Sequence, residues 1–120
     1  MRRTPLYIAT ASIAAAALLG LSGCAAGASF SGTWEGSGDQ PPSLEITADG
    51  TFSGSDGCNT MVGTGEIAED TFSFGQFATT RKMCEGVDTW LSTAASATVD
   101  GDTLVVFDAE GAEIGALRRA

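Results

Sequence analysis

Three cysteines, Cys24, Cys58 and Cys84, are the residues of this chain best suited to covalent or metal chemistry. The 120 residues include no histidine, which excludes Ser-His-Asp and Cys-His catalysis and ordinary catalytic zinc sites. A lysine or a helix N-terminus could still activate a cysteine nucleophile, but the usual base would be missing. The sequence therefore predicts no catalytic residues, no metal and no cofactor, and the role of each cysteine depends on its compartment.

The first residues indicate that compartment. Arg2 and Arg3 precede an apolar run from about residue 6 to residue 21, as in a secretory signal peptide, and the run is short for a membrane-spanning helix. It closes on Leu-Ser-Gly-Cys, which resembles the bacterial lipobox. That resemblance implies that Cys24 receives a diacylglyceryl thioether and becomes the first residue of the mature protein. An ordinary cleaved signal with an incidental cysteine is the alternative.

Such an anchor defines the expected organisation of the chain. Two acyl chains, at about 0.8 kcal/mol per buried methylene, hold a protein on a membrane where a single chain would be marginal. We expect a lipoprotein signal peptide in residues 1–23, a flexible tether in residues 24–29 and a single small domain in residues 30–118. The domain would then be extracytoplasmic and attached to the cell membrane through lipid on Cys24.

The charge of the mature part narrows the choice of partners. Residues 24–120 hold four of the six basic residues and all fifteen acidic ones, which gives a net charge of −11. Nucleic acid is excluded because its recognition needs basic patches that neutralise phosphates. Electrostatic adhesion to anionic lipid is disfavoured for the same reason, so the acyl chains must provide the membrane attachment.

Short strands separated by turns dominate from residue 30 onwards. Residues 43–55 and 65–74 each contain two alternating apolar and polar stretches joined by a turn signal. Residues 97–117 add the turns Asp100-Gly101 and Glu110-Gly111. Because neighbours in sequence tend to pair, we predict a mainly β fold built as an antiparallel meander.

One segment has a different period. In residues 85–95, Val87, Trp90, Leu91 and Ala94 follow the i, i+3, i+4, i+7 spacing of an amphipathic helix. We predict a short helix here that lays Trp90 and Leu91 against one face of the sheet.

Several acidic residues stand beside a glycine or within a turn signature: Asp49, Asp56, Asp70, Asp100 and Glu110. Local hydrogen bonding in turns and solubility explain them. A pair of carboxylates acting as a glycosidase-type acid and base is the alternative, but nothing in the sequence distinguishes one pair from the rest.

Cys58 and Cys84 are the two thiols that remain once Cys24 carries lipid. On the oxidising side of a membrane, an even pair of cysteines indicates a disulfide. Their separation of 26 residues does not match the close spacing of redox motifs, and two cysteines without histidine make a poor metal site. A bridge of this length would stabilise the fold by about 3–4 kcal/mol in the chain-entropy model. A reactive thiol in a glycine-rich turn is the alternative.

The surroundings of these cysteines resemble a known family. The motif Gly-Cys-Asn occupies residues 57–59, and the segment TRKMC occupies residues 80–84. A closing pair of apolar strands follows at residues 104–107 and 114–117. With the Gly-Thr-Trp start at residues 32–34 and the lipobox, they resemble the META domain, the family of the bacterial heat-shock lipoprotein HslJ.

The resemblance implies a small, partly open β-barrel with one helix and an association with envelope stress and antibiotic tolerance. It implies no catalytic residues. The motif residues carried over as structural are Gly57, Cys58, Asn59, Thr80, Met83 and Cys84. We expect Asn59 and Thr80 to hydrogen-bond the turn backbone, and five aromatic residues to be core: Trp34, Phe52, Phe72, Phe74 and Trp90.

These observations predict a non-enzymatic, lipid-anchored envelope protein that supports the response to envelope stress or antibiotics by binding an envelope protein. The alternative is a barrel that binds a small apolar ligand or lipid in a mouth lined by aromatic residues. An apolar pocket of ligand size would favour the alternative.

Overall fold

The computed structural model describes residues 30–120. The predicted signal peptide, the lipidation site Cys24 and the tether of residues 24–29 lie outside this part of the chain. Within residues 30–120, no helix combines the length and the apolar character needed to cross a membrane.

The described chain consists of ten short strands and one turn of 3-10 helix at Trp90–Thr93. The strands are β1 (Gly32–Glu35), β2 (Ser43–Ile46), β3 (Thr51–Ser55), β4 (Thr60–Thr64), β5 (Glu66–Ala68), β6 (Thr71–Ser73), β7 (Phe77–Thr79), β8 (Ser96–Asp100), β9 (Thr103–Phe107) and β10 (Glu113–Arg119).

All ten strands form one antiparallel sheet in the order β5-β6-β8-β9-β10-β1-β2-β3-β4-β7. The sheet curls into a half-barrel, so the predicted mainly β, partly open antiparallel barrel is confirmed. Strands β1 to β4 and β8 to β10 pair consecutively, as in a meander. Three pairings are not consecutive: β1 with β10, β4 with β7, and β6 with β8.

A single residue, Gly65, joins β4 to β5 and sends the chain towards the other end of the sheet order. Its N–H donates to the carbonyl of Gly50 over 2.8 Å. A Cβ at this position would stand 2.5 Å from both Phe72 Cζ and the carbonyl oxygen of Ser73. Glycine is therefore required here, because any side chain would collide with backbone and with a core ring.

The alternating pattern of the strands produces the core. In β2, for example, Leu44 and Ile46 are buried while Glu45 between them is exposed. Rings pack edge to face: Phe72 lies 5.9 Å from Phe52 and 4.9 Å from Phe74, centroid to centroid. The buried apolar side chains are Phe30, Trp34, Leu44, Ile46, Phe52, Met61, Phe72, Phe74, Leu91, Ala94, Ala97, Leu104, Val106 and Leu117.

Four of the five aromatic residues predicted as core are fully buried, whereas Trp90 is only partly buried and packs against the core from its edge. The predicted short helix is a single 3-10 turn that buries Leu91. The hydroxyl of Ser92 donates to the carbonyl of Thr89, and that of Thr93 to the carbonyl of Trp90. Such local bonds compete with the α-helical ladder, so the amphipathic spacing does not extend into an α-helix.

Candidate functional site

The motif residues lie together where two segments that are distant in sequence meet. The turn of residues 56–59 connects β3 to β4, and residues 80–84 follow β7, the strand that pairs with β4. Cys58 and Cys84 form a disulfide with a Cα–Cα distance of 6.0 Å, within the range that such a bond spans. The structure thus contains the disulfide that the sequence predicts.

Asp56 organises the turn that carries Cys58. Its side chain is fully buried, and Oδ1 accepts hydrogen bonds from the backbone N–H groups of Cys58 and Asn59, over 2.9 and 2.6 Å. The second oxygen, Oδ2, is buried without a hydrogen-bond partner among residues 30–120. Gly57 has a φ of +100°, and a Cβ there would lie 2.6 Å from the carbonyl oxygen of Gln40. The turn acid is therefore structural, and the glycine is needed for both its conformation and its space.

Asn59 ties the turn to the segment after β7. Its Oδ1 accepts from the N–H of Lys82 over 2.6 Å and from the hydroxyl of Thr80 over 2.8 Å, and its Nδ2 donates to the carbonyl of Lys82 over 3.3 Å. The Thr80 hydroxyl also accepts from the N–H of Thr60 over 3.1 Å. The expectation that Asn59 bonds the backbone of its own turn was wrong, because its side chain bonds the backbone of Lys82 and the hydroxyl of Thr80, both beyond β7. Because the bonds to Lys82 use its backbone, the residue type at position 82 gives no indication of them in the sequence.

The segment held in this way presents its side chains to solvent. Arg81, Lys82 and Cys84 are exposed, and Met83 is 96% exposed. Met83 therefore adds nothing to the packing of the core. The backbone of residues 80–84 is thus held in place while its side chains are exposed.

Two further acids, Asp49 and Asp108, accept hydrogen bonds within their own turns. Hydrogen bonds from the Thr47 hydroxyl and the backbone of Thr51 lower the pKa of Asp49, which is exposed. In the last hairpin it is Asp108, not the predicted Glu110, whose carboxylate accepts from two backbone N–H groups. Among residues 30–120, no group of three or more Cys, Asp or Glu side chains is placed to hold a metal ion.

Open clefts lie on the surface of the described domain. One of about 510 Å³ is lined by Glu35, Thr103, Ala116 and Arg118, whose side chains lie on β1, β9 and β10. A second, of about 260 Å³, includes Asp39, Asp88 and Trp90, and a third, of about 220 Å³, lies beside the disulfide. The lining of each is mixed polar and apolar, unlike the aromatic mouth of a lipid-binding barrel.

Comparison with known proteins agrees with this arrangement. The sequence model of the META domain family matches residues 25–120, most of the chain. No curated protein and no solved structure matches the chain. The matched range includes the Cys58–Cys84 bridge and every strand of the described sheet. The chain belongs to the META domain family.

Proposed function

We propose that this protein is a non-enzymatic, lipid-anchored component of the cell envelope that acts during envelope stress or antibiotic exposure by binding another protein. The observation that supports protein binding is the segment of residues 80–84, which is fixed by a disulfide and by Asn59 yet has exposed side chains. Ordering a segment before binding reduces the entropy that association must overcome.

The filled interior of the half-barrel favours this function over the binding of an apolar ligand. Trp34, Phe30, Phe52 and Phe72 occupy the space that a ligand would need, and each is at most 1% exposed. Ligand pockets are concave, mostly apolar and several hundred cubic ångströms in volume. The 510 Å³ cleft is large enough, but it is open and includes Glu35 and Arg118.

Membrane attachment is proposed through Cys24, which closes the apolar run in the lipobox-like Leu-Ser-Gly-Cys. The intact mass of the membrane-extracted protein should exceed that of residues 24–120 by a lipid adduct. Cys24→Ser should block lipidation and leave uncleaved or mislocalised precursor. A soluble, unmodified wild-type protein that starts at another residue would contradict the anchor.

The partner class is tested by affinity purification from detergent-solubilised envelopes, followed by analysis of both protein and lipid. A protein that co-purifies in a fixed ratio with the wild-type chain supports the proposal. A lipid in a fixed ratio, retained when Cys24 is replaced by serine, would instead establish a ligand-binding barrel.

A further inference from the structure

Strand β7 forms one free edge of the sheet. It ends the strand order and pairs with β4 alone among the strands of residues 30–120. The N–H of Thr80 donates to the carbonyl of Thr60 over 3.1 Å, so the backbone N–H and C=O groups of Thr80 point towards β4. The backbone polar groups of an antiparallel strand alternate in direction. Those of Ala78 therefore also point towards β4, whereas those of Phe77 and Thr79 point away from the sheet.

Asn59 extends this edge beyond the end of β7. Its carboxamide accepts from the N–H of Lys82 and donates to the carbonyl of Lys82, as a residue of a neighbouring strand would. The backbone groups of Lys82 therefore point inward, like those of Ala78 and Thr80. The backbone groups of Arg81, between Thr80 and Lys82, point outward, like those of Phe77 and Thr79. The edge of backbone groups unpaired within residues 30–120 therefore runs from Phe77 to Arg81.

The exposed apolar side chains of the domain lie at the same edge. In residues 30–120, the large apolar side chains left exposed are Val62 and Met83, at 52% and 96%. Val62 stands directly opposite exposed Ala78 in the register of β4 with β7. Natural proteins usually protect sheet edges with charge, proline, bulges or a cover, because an exposed edge pairs with other chains. Here the β4–β7 register is regular, and β7 itself (Phe77–Thr79) has no proline and no charged residue, so the basic residues lie only in the segment that follows it.

Charge indicates what the edge would accept. Arg81 and Lys82 are two of the four basic residues in residues 24–120, which also hold fifteen acids. Arg119 is engaged elsewhere: its guanidinium lies 4.1 Å from the centroid of the Trp34 ring, and Nε lies 3.7 Å from an oxygen of Asp102. The other free edge, β5, is flanked by Glu66, Glu69 and Asp70. The domain as a whole is acidic, but the two bases beside β7 make that edge the more favourable of the two for an acidic segment.

We propose that the β7 edge, residues 77–81, together with the side chains of Lys82 and Met83 beside it, binds an extended acidic segment of a partner protein as an added strand. This inference rests on the proposed protein-binding function and assigns it a surface and a partner chemistry. Backbone groups of Phe77, Thr79 and Arg81 make the strand bonds, as in other cases of β-strand addition. Carboxylates of the partner face Arg81 and Lys82, and its apolar side chains contact Val62 and Met83.

The test uses the mature protein in detergent and a synthetic peptide of about eight residues in which valine and threonine alternate with glutamate. A matched peptide carries lysine in place of every glutamate. We expect the acidic peptide to bind more tightly by at least about tenfold, with an affinity that falls as salt rises from about 0.02 to about 0.5 M. Amide hydrogen exchange should slow at Phe77, Thr79 and Arg81 when the acidic peptide is bound.

Two substitutions at Thr79 separate edge pairing from general surface effects. Thr79→Pro removes an outward N–H that β4 does not use, and should weaken binding by about tenfold or more. Thr79→Ala keeps the N–H and should bind within about twofold of the wild type. Should Thr79→Pro fold poorly, the exposed pair Arg81→Gln and Lys82→Gln should abolish the salt dependence and lower the affinity by a similar factor.

Three results would each overturn the assignment: equal binding of the acidic and basic peptides, an unchanged affinity for the acidic peptide in folded Thr79→Pro, or slowed amide exchange at β5 instead of β7. A protein partner captured from the envelope that binds Thr79→Pro as well as wild type would also overturn it while leaving the proposed protein-binding function intact. Self-association of the protein through β7, with no effect of the acidic peptide, would identify a second copy as the occupant and would likewise overturn the inference.

Discussion

The side-chain carboxamide of Asn59 pairs with both backbone polar groups of Lys82, with N–O distances of 2.6 and 3.3 Å. One asparagine thus does for a non-strand segment what a neighbouring strand does for β7. Together with the Cys58–Cys84 bond, this pair joins the β3–β4 turn to residues 80–84 at two points. Because Asn59 is buried, the loss of either partner would leave polar groups unpaired.

Asn59→Ala should lower the free energy of unfolding by about 1–3 kcal/mol, since the N–H of Lys82 and the hydroxyl of Thr80 would lose their acceptor. Urea unfolding of the mature protein measures the loss. Gln76→Ala, at an exposed site, is the control and should change stability by less than about 0.5 kcal/mol. Equal effects of the two substitutions would show that the Asn59 bonds do not stabilise the fold.

Breaking the Cys58–Cys84 bond should lower the free energy of unfolding by about 2–5 kcal/mol, because the bond constrains the unfolded chain. Cys58→Ser leaves Cys84 as a free thiol, whereas the double variant with Cys84→Ser has no free thiol. In chemical unfolding, both variants should lose similar amounts of free energy of unfolding, because both lack the bond. Thiol alkylation of the native protein should label neither cysteine until a reductant is added. Ready labelling of Cys58 without reductant would show a reactive thiol instead.

Asp49 should titrate below the ordinary aspartate value of 3.8, because the Thr47 hydroxyl and the Thr51 backbone bond its ionised form. A pKa lowered by folding stabilises the protein above the unfolded value, and the contribution is lost as pH falls through the folded value. Thr47→Val should raise the pKa of Asp49 towards 3.8 and flatten the pH dependence of stability below that value. NMR titration of the Asp49 carboxyl carbon measures the shift.

The control for that titration is Thr98→Val, a substitution in β8, which should leave the Asp49 pKa where it is in the wild type. If both variants titrate like the wild type, the threonine hydroxyl is not what lowers the pKa.

Gly115→Ala should displace Trp90, because a Cβ at residue 115 would lie 2.6 Å from the nearest atom of the indole ring. We expect a loss of about 1–3 kcal/mol in the free energy of unfolding, as for other overpacked sites. Combined with Trp90→Phe, the loss should be smaller than the sum of the two single losses, since the smaller ring leaves room for the methyl group. Strictly additive losses in urea unfolding would mean that the two residues do not compete for space.

The positions of the turns and the faces of the strands could be predicted because local chemistry fixes them. Residues 47–50 connect β2 to β3, and residues 101–102 connect β8 to β9, at or next to the positions where the sequence predicts turns. Alternation within a strand likewise determined that Phe52 and Phe72 are core residues, since successive side chains lie on opposite faces. The pairing of Cys58 with Cys84 followed from the number of cysteines and the expected compartment.

Tertiary structure alone decided which distant strands meet. The pairings of β1 with β10, β4 with β7 and β6 with β8 depend on how the whole sheet curls, and no short stretch of sequence encodes that curvature. The helical spacing around Trp90 gave way to a 3-10 turn because the hydroxyls of Ser92 and Thr93 bond nearby carbonyls. Lys82 became the partner of Asn59 through its backbone N–H and C=O, which every residue type except proline has, so only the folded chain could select the position.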